Sequence, residues 1–151
     1  MIRSPNVLTR RMTCAHRAGA LALCAVVAAG PATAEYVLSL EGTGLREYYC
    51  QITVALENTS EAPLTEISGY FYNYVGDEKV GRSKGTWFMG VDPGARAEAT
   101  FETPNAPCDA VERYEFVVGA CRIGAGFEDV GVCAAQMRGT GPIVIVTPGG
   151  S

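Results

Sequence analysis

Histidine is almost missing from this chain. The sole one, His16, lies in a segment that reads as a leader rather than as working protein. Without histidine, Ser-His-Asp and Cys-His arrangements, imidazole general bases and imidazole metal ligands all fall together. Closely spaced cysteine pairs are missing too. Cys50, Cys108, Cys121 and Cys133 follow the leader and form no Cys-x-x-Cys. That spacing argues against a tetrathiolate zinc site and a thioredoxin-like redox motif. A third absence is a membrane-length apolar run. Ala18–Ala29 is the longest of its kind, and it falls short of the roughly 20 residues a spanning helix needs. No membrane span is expected.

What is present begins with that leader. Arg3, Arg10, Arg11 and Arg17 make a basic start, the apolar run follows, and Ala32-Thr33-Ala34 offers a small-x-small cleavage site before Glu35. This is the order of a secretory signal peptide. Residues 1–34 are therefore expected to be cleaved, residues 35–146 to form one domain, and 147–151 to be a disordered tail. The expected location is periplasmic or secreted. Arg10-Arg11 and Cys24 hint at twin-arginine and lipoprotein signals, but Met12-Thr13-Cys14 and Leu23 fit neither well.

Export changes how the cysteines are read. In an oxidising compartment, four cysteines in a small domain are two structural disulfides before they are anything else. It also changes the charge. The leader holds four of the 12 basic residues and none of the 16 acidic ones, which leaves the mature chain near −8. Such a balance argues against nucleic acid and anionic lipid as partners. The acidic excess is dispersed, so it reads first as solubility and second as recognition of a basic partner.

Helical periodicity is close to absent, while alternation by two recurs between turn signals. Glu35–Glu41 reads as a first strand ended by Gly42-Thr43-Gly44. Tyr48–Asn58 is the clearest strand, with Cys50, Ile52, Val54 and Leu56 on one face. Glu66–Val75 places Ile67, Gly69 and Phe71 on one face and Ser68, Tyr70, Tyr72 and Tyr74 on the other. Thr86–Val91 reads with Trp87, Met89 and Val91 toward the core. Asp92-Pro93-Gly94-Ala95 is set for a type II turn. Arg96–Glu102 and Tyr114–Cys121 follow, and Val130–Arg138 and Ile143–Val146 are read as the last strands. The sum is an all-β fold, an antiparallel immunoglobulin-like β-sandwich of about seven to nine strands with two disulfides. A small open barrel is the structural alternative.

That topology suggests the cysteine pairing. Cys50 starts the second strand, and Cys108 sits in the loop after Arg96–Glu102, at the same end of such a sandwich. Cys121 and Cys133 fall at the opposite end. The expected bridges are Cys50–Cys108 and Cys121–Cys133. Cys50 and Cys121 would lie too far apart for the Cα separation of roughly 4.4–6.8 Å that a disulfide needs.

A family resemblance rests on Ile52 to Ser60, Pro63-Leu64, Gly69-Tyr70-Phe71-Tyr72-Asn73, Val80-Gly81, Val91-Asp92-Pro93-Gly94 and Phe101. Together they resemble the FxLYD-type, immunoglobulin-like β-sandwich domains of bacterial envelope proteins. The Phe-x-Leu-Tyr-Asp run itself is not present, and the four cysteines stand outside the pattern. The resemblance implies a non-catalytic, extracytoplasmic interaction or scaffolding domain, and it transfers no functional residues.

The candidate binding surface is the row Tyr70, Tyr72 and Tyr74. Amphipathic rings facing outward suit a protein partner or a sugar, whereas ordinary cross-strand packing is the plain alternative. Glu128-Asp129 and Asp77-Glu78 lack the spaced acids of a calcium loop and read as solvated turns. Gly124-Ala125-Gly126 precedes no expected helix, so it is no phosphate loop. Asn58-Thr59-Ser60 matches a glycosylation sequon but is expected to be an unmodified turn. No catalytic residue, metal site or cofactor is expected. The functional expectation is an interaction or scaffold protein that binds another envelope protein through the Tyr70/Tyr72/Tyr74 face or the Cys121–Cys133 loop. The alternatives are a small carbohydrate-binding module using the same tyrosines, and an enzyme limited to carboxylate acid–base chemistry.

Overall fold

The computed structural model describes residues 34–47, 49–104 and 108–148. The expected leader, apart from Ala34, lies outside the described residues, as does the expected tail from 149 onward. The described elements are β1 (Tyr36–Arg46), β2 (Tyr49–Asn58), β3 (Leu64–Val75), β4 (Glu78–Arg82), β5 (Thr86–Val91), β6 (Arg96–Pro104), β7 (Arg113–Ile123), β8 (Gly126–Phe127), α1 (Val130–Ala135), β9 (Met137–Gly139) and β10 (Ile143–Val146).

These strands form two sheets. The first runs β6-β2-β1-β9. The second runs β10-β7-β3-β4, with β5 also on β3 and β8 on β7. Their inner faces build one core, as the alternation requires. Leu38, Ile52, Val54 and Leu56 come from the first sheet, and Ile67, Phe71, Phe88 and Phe116 from the second. Phe71 stacks on Phe101 across the sheets, with centroids 4.4 Å apart and planes within 10°. Each such side chain contributes roughly 1.5–3 kcal/mol by leaving water.

Both disulfides pair as expected. Cys50–Cys108 has its Cα atoms 4.9 Å apart, and Cys121–Cys133 has them 6.4 Å apart. The first secures the β6–β7 link to the start of β2, and the second ties α1 to the end of β7. Among the described residues no helix is long and apolar enough to cross a membrane.

Four sequence expectations change. The sheets are mixed rather than wholly antiparallel: β9 pairs parallel with β1, and β10 pairs parallel with β7. A parallel neighbour needs a crossover, and the stretch from Ile123 to Ile143 supplies one by way of α1. That helix replaces the strand expected over Val130–Arg138. The Asp129 side chain caps it, accepting from the backbone N–H of Gly131 at 2.8 Å and of Val132 at 3.2 Å. Asp129 is thus a helix cap, a role that composition at Glu128-Asp129 does not announce.

In β1, the expected stop at Gly42-Thr43-Gly44 is a register shift between Leu40 and Gly42, after which pairing with β2 continues to Arg46. The last change is in β5. Thr86 and Phe88 are buried while Trp87 and Met89 are exposed, the opposite of the expected facing. Gly90 explains it, because its φ of +63° lies in the left-handed region. With that left-handed residue between them, Phe88 and Val91, three residues apart, both face inward while the β3–β5 register runs unbroken.

Candidate functional site

The second sheet's outer face gathers what the first sheet's does not. On β3 the alternation that buries Ile67, Phe71 and Asn73 turns Ser68, Tyr70, Tyr72 and Tyr74 outward, and all four are half-buried. Tyr70, Tyr72 and Tyr74 thus share one side of β3. Their rings are not bare. The Arg82 guanidinium sits over Tyr70 at 4.2 Å, the Lys79 ammonium over Tyr72 at 3.6 Å, and the Arg113 guanidinium over Tyr74 at 4.3 Å. Tyr70 and Tyr72 also meet edge to face at 5.2 Å. The pattern is a cation–aromatic ladder along one strand. Burial, then the neighbouring Glu115 carboxylate, pushes the Tyr74 hydroxyl above its usual range.

Cross-strand register extends this face sideways. Trp87 on β5 lies opposite Ser68, and Met89 opposite Glu66. Glu66 in turn faces Arg122 on β7, and Arg122 faces Phe127 on β8, with its guanidinium 4.8 Å from that ring. Tyr72 lies opposite Glu115, and Val144 of β10 follows beside it. Trp87 is 59% exposed, Met89 68%, Phe127 77% and Val144 43%. Seven large hydrophobic side chains are exposed among the described residues, and these four share the tyrosine face; Leu45, Tyr49 and Val132 lie elsewhere. Exposed apolar area concentrated in this way marks a binding surface far better than scattered residues do.

Sequence reasoning missed Trp87 and Met89 because it placed them in the core. Gly90 carries a left-handed backbone that the side-chain pattern does not announce. At Gly85 a Cβ would meet the Trp87 ring, so glycine is what lets the indole lie against the backbone there.

Other places offer less. An open groove of about 550 Å³ runs past Arg46, Tyr49, Gln51, Lys84, Gly85 and Glu102. Arg46 and Glu102 pair across it at 3.6 Å. The two groups neutralise each other, and the Tyr49, Lys84 and Thr100 side chains line the same groove. Among the described residues no group of three or more His, Cys, Asp and Glu side chains converges.

The sequon is structural. Asn58 is fully buried. Its Nδ2 donates to the carbonyls of Ala62 at 2.9 Å and Val91 at 2.8 Å, and its Oδ1 accepts from the Ser60 N–H at 3.0 Å and hydroxyl at 2.7 Å. Both amide hydrogens are committed, so the folded chain presents no nitrogen for glycan attachment.

No family model matches this chain, and neither does any curated protein or solved structure.

Proposed function

We propose that this protein is a non-catalytic interaction module, exported to the periplasm or secreted, that binds another envelope protein through the outer face of its second sheet. One observation carries the reading: Trp87, Met89, Phe127 and Val144 expose their side chains on the same face as the tyrosine row. A rigid sheet presenting aromatic anchors, ringed by cations, has the make-up of a protein-binding patch. Two disulfides fit an oxidising compartment, which agrees with the leader at the start of the chain. The FxLYD-type likeness supports the same role, although the two parallel strand pairings depart from an immunoglobulin sandwich built of two antiparallel sheets.

A carbohydrate-binding role is the second reading, favoured by Trp87. An indole lying against Gly85 and largely open to solvent could stack on a sugar ring. The tyrosines serve that role poorly, because cations already sit over their faces.

Photocrosslinking separates the two. A crosslinking amino acid placed at position 87 should yield a defined adduct in native envelope extract, and the same group at position 53 on the opposite sheet should not. Equal labelling from both positions, or no adduct from position 87 together with a glycan-array hit lost in Trp87→Ala, would defeat the protein-partner reading.

A further inference from the structure

We infer that the segment docking on this face is acidic: carboxylates of a partner protein seat on Arg82 and Lys79 while its apolar residues cover Trp87 and Met89. The inference rests on the proposed function and adds the chemistry of the partner. It starts from how charge is divided between the two sheets. On the first sheet's outer face, Arg46 pairs with Glu102, and Arg96 pairs with both Glu41 and Glu98. Those two cations are spent, while Arg138 on β9 forms no ion pair among the described residues and has no aromatic ring beneath it. On the second sheet, Arg113 pairs with Glu115, but Lys79 and Arg82 form no ion pair among the described residues. They rest over tyrosine rings instead.

A chain with a mature charge near −8 thus keeps Lys79 and Arg82 side by side without ion pairs among the described residues on its most apolar outer face, with Arg122 a third such cation farther along it, over Phe127. Held against a ring, the Arg82 side chain has already given up much of its rotamer freedom, and its planar fork of donors is left for a carboxylate. Preorganisation of this kind lowers the entropy lost on binding. β5 pairs with the same edge of β3 as β4, so Trp87 and Met89 continue along that edge from Arg82, in line for one extended docked segment. An anionic membrane is the poorer fit, because its extended negative surface would meet the chain's dispersed carboxylates along with these cations, whereas a short acidic segment meets this face alone.

Trp87 is the only tryptophan, so its fluorescence reports on this face alone. The probe is a synthetic peptide carrying Glu-Glu-Phe-Leu between Gly-Ser flanks, compared with its Gln-Gln isostere. The Glu peptide should shift Trp87 emission to the blue and saturate, and the Gln form should bind at least tenfold more weakly. The double variant Lys79→Gln/Arg82→Gln, which removes both charges and keeps two methylenes of each stem, should lose at least tenfold. Glu98→Gln on the opposite sheet should bind like the parent, and melting curves confirm that each variant folds. Equal binding of the two peptides overturns the inference. So does stronger binding to phosphatidylglycerol vesicles than to the Glu peptide, or a self-association that the double variant abolishes. Repeating the position-87 crosslink in the double variant distinguishes the two levels. An adduct that persists at full yield defeats the acidic partner and leaves the face standing, whereas no adduct from the parent defeats the face itself.

Discussion

The Asn58 side chain at the end of β2 donates to the carbonyl of Val91 at the end of β5, at 2.8 Å and across 33 residues of chain. The same residue's backbone carbonyl accepts from Gly94 at 2.7 Å, and its N–H donates to Ala95 at 3.0 Å. One buried amide thus joins the two sheets to the turn between β5 and β6. Asn58→Ala should destabilise the fold by about 2–4 kcal/mol, since several buried partners lose their bonds at once. Denaturant unfolding checks this. Expression in a glycosylating host should give no added mass at Asn58, as intact mass spectrometry would show.

Phe71 and Phe101 make the corresponding apolar link. Phe101→Ala should cost about 3–5 kcal/mol through the cavity it leaves. A double-mutant cycle with Phe71→Leu should show a coupling of roughly 0.5–1.5 kcal/mol from the stacked pair. Coupling near zero would mean the stack adds nothing beyond area.

The two disulfides should differ in worth. Cys50–Cys108 closes a separation of 58 residues and Cys121–Cys133 one of 12. By chain entropy the first contributes about 4 kcal/mol and the second about 3 kcal/mol. Paired Cys→Ala variants compared by chemical denaturation should therefore show the larger loss for Cys50/Cys108.

Tyr36 and Tyr114 are buried in the core, and burial raises the ionisation range of both hydroxyls above that of free tyrosine. The neutral form is then favoured by folding. Its stabilising effect is complete below the unfolded value near 10 and is lost as pH climbs through the raised folded value. Stability should fall on the alkaline side from about pH 10 upward. Tyr114→Phe should flatten that fall when unfolding is followed against pH.

On the outer face, exposure and burial predict opposite results for two aromatic residues. Trp87→Ala should change stability by no more than about 0.5 kcal/mol, while abolishing the crosslinking partner's binding. Tyr72→Ala, whose ring lies between Lys79 and Tyr70, should cost about 1–2 kcal/mol as packing and cation–aromatic contact are lost together. Melting temperatures of the two variants give the comparison directly.

Much of this fold is legible in alternation alone. The facings of Cys50 to Leu56, of Ile67 to Tyr74 and of Tyr114 to Val118 follow from a two-residue period, because a strand with one buried face has no other register that keeps apolar groups from water. The two bridges follow from where the strands begin and end. Trp87 was not legible in this way. Its strand offers two facings with similar apolar content, and the choice is made by the left-handed backbone at Gly90, which no side-chain pattern reveals. The parallel seats of β9 and β10 are likewise set by where α1 turns the chain.

The candidate site divides along the same line. Local chemistry determined that three tyrosines would share one side of a strand, since successive residues of an extended chain must point to opposite faces. Only tertiary structure decided that β4 would lay Lys79 and Arg82 over those rings, and that β5 would set Trp87 and Met89 beside them. Those neighbours are brought together by sheet register, a property of paired backbones that no single stretch of sequence contains.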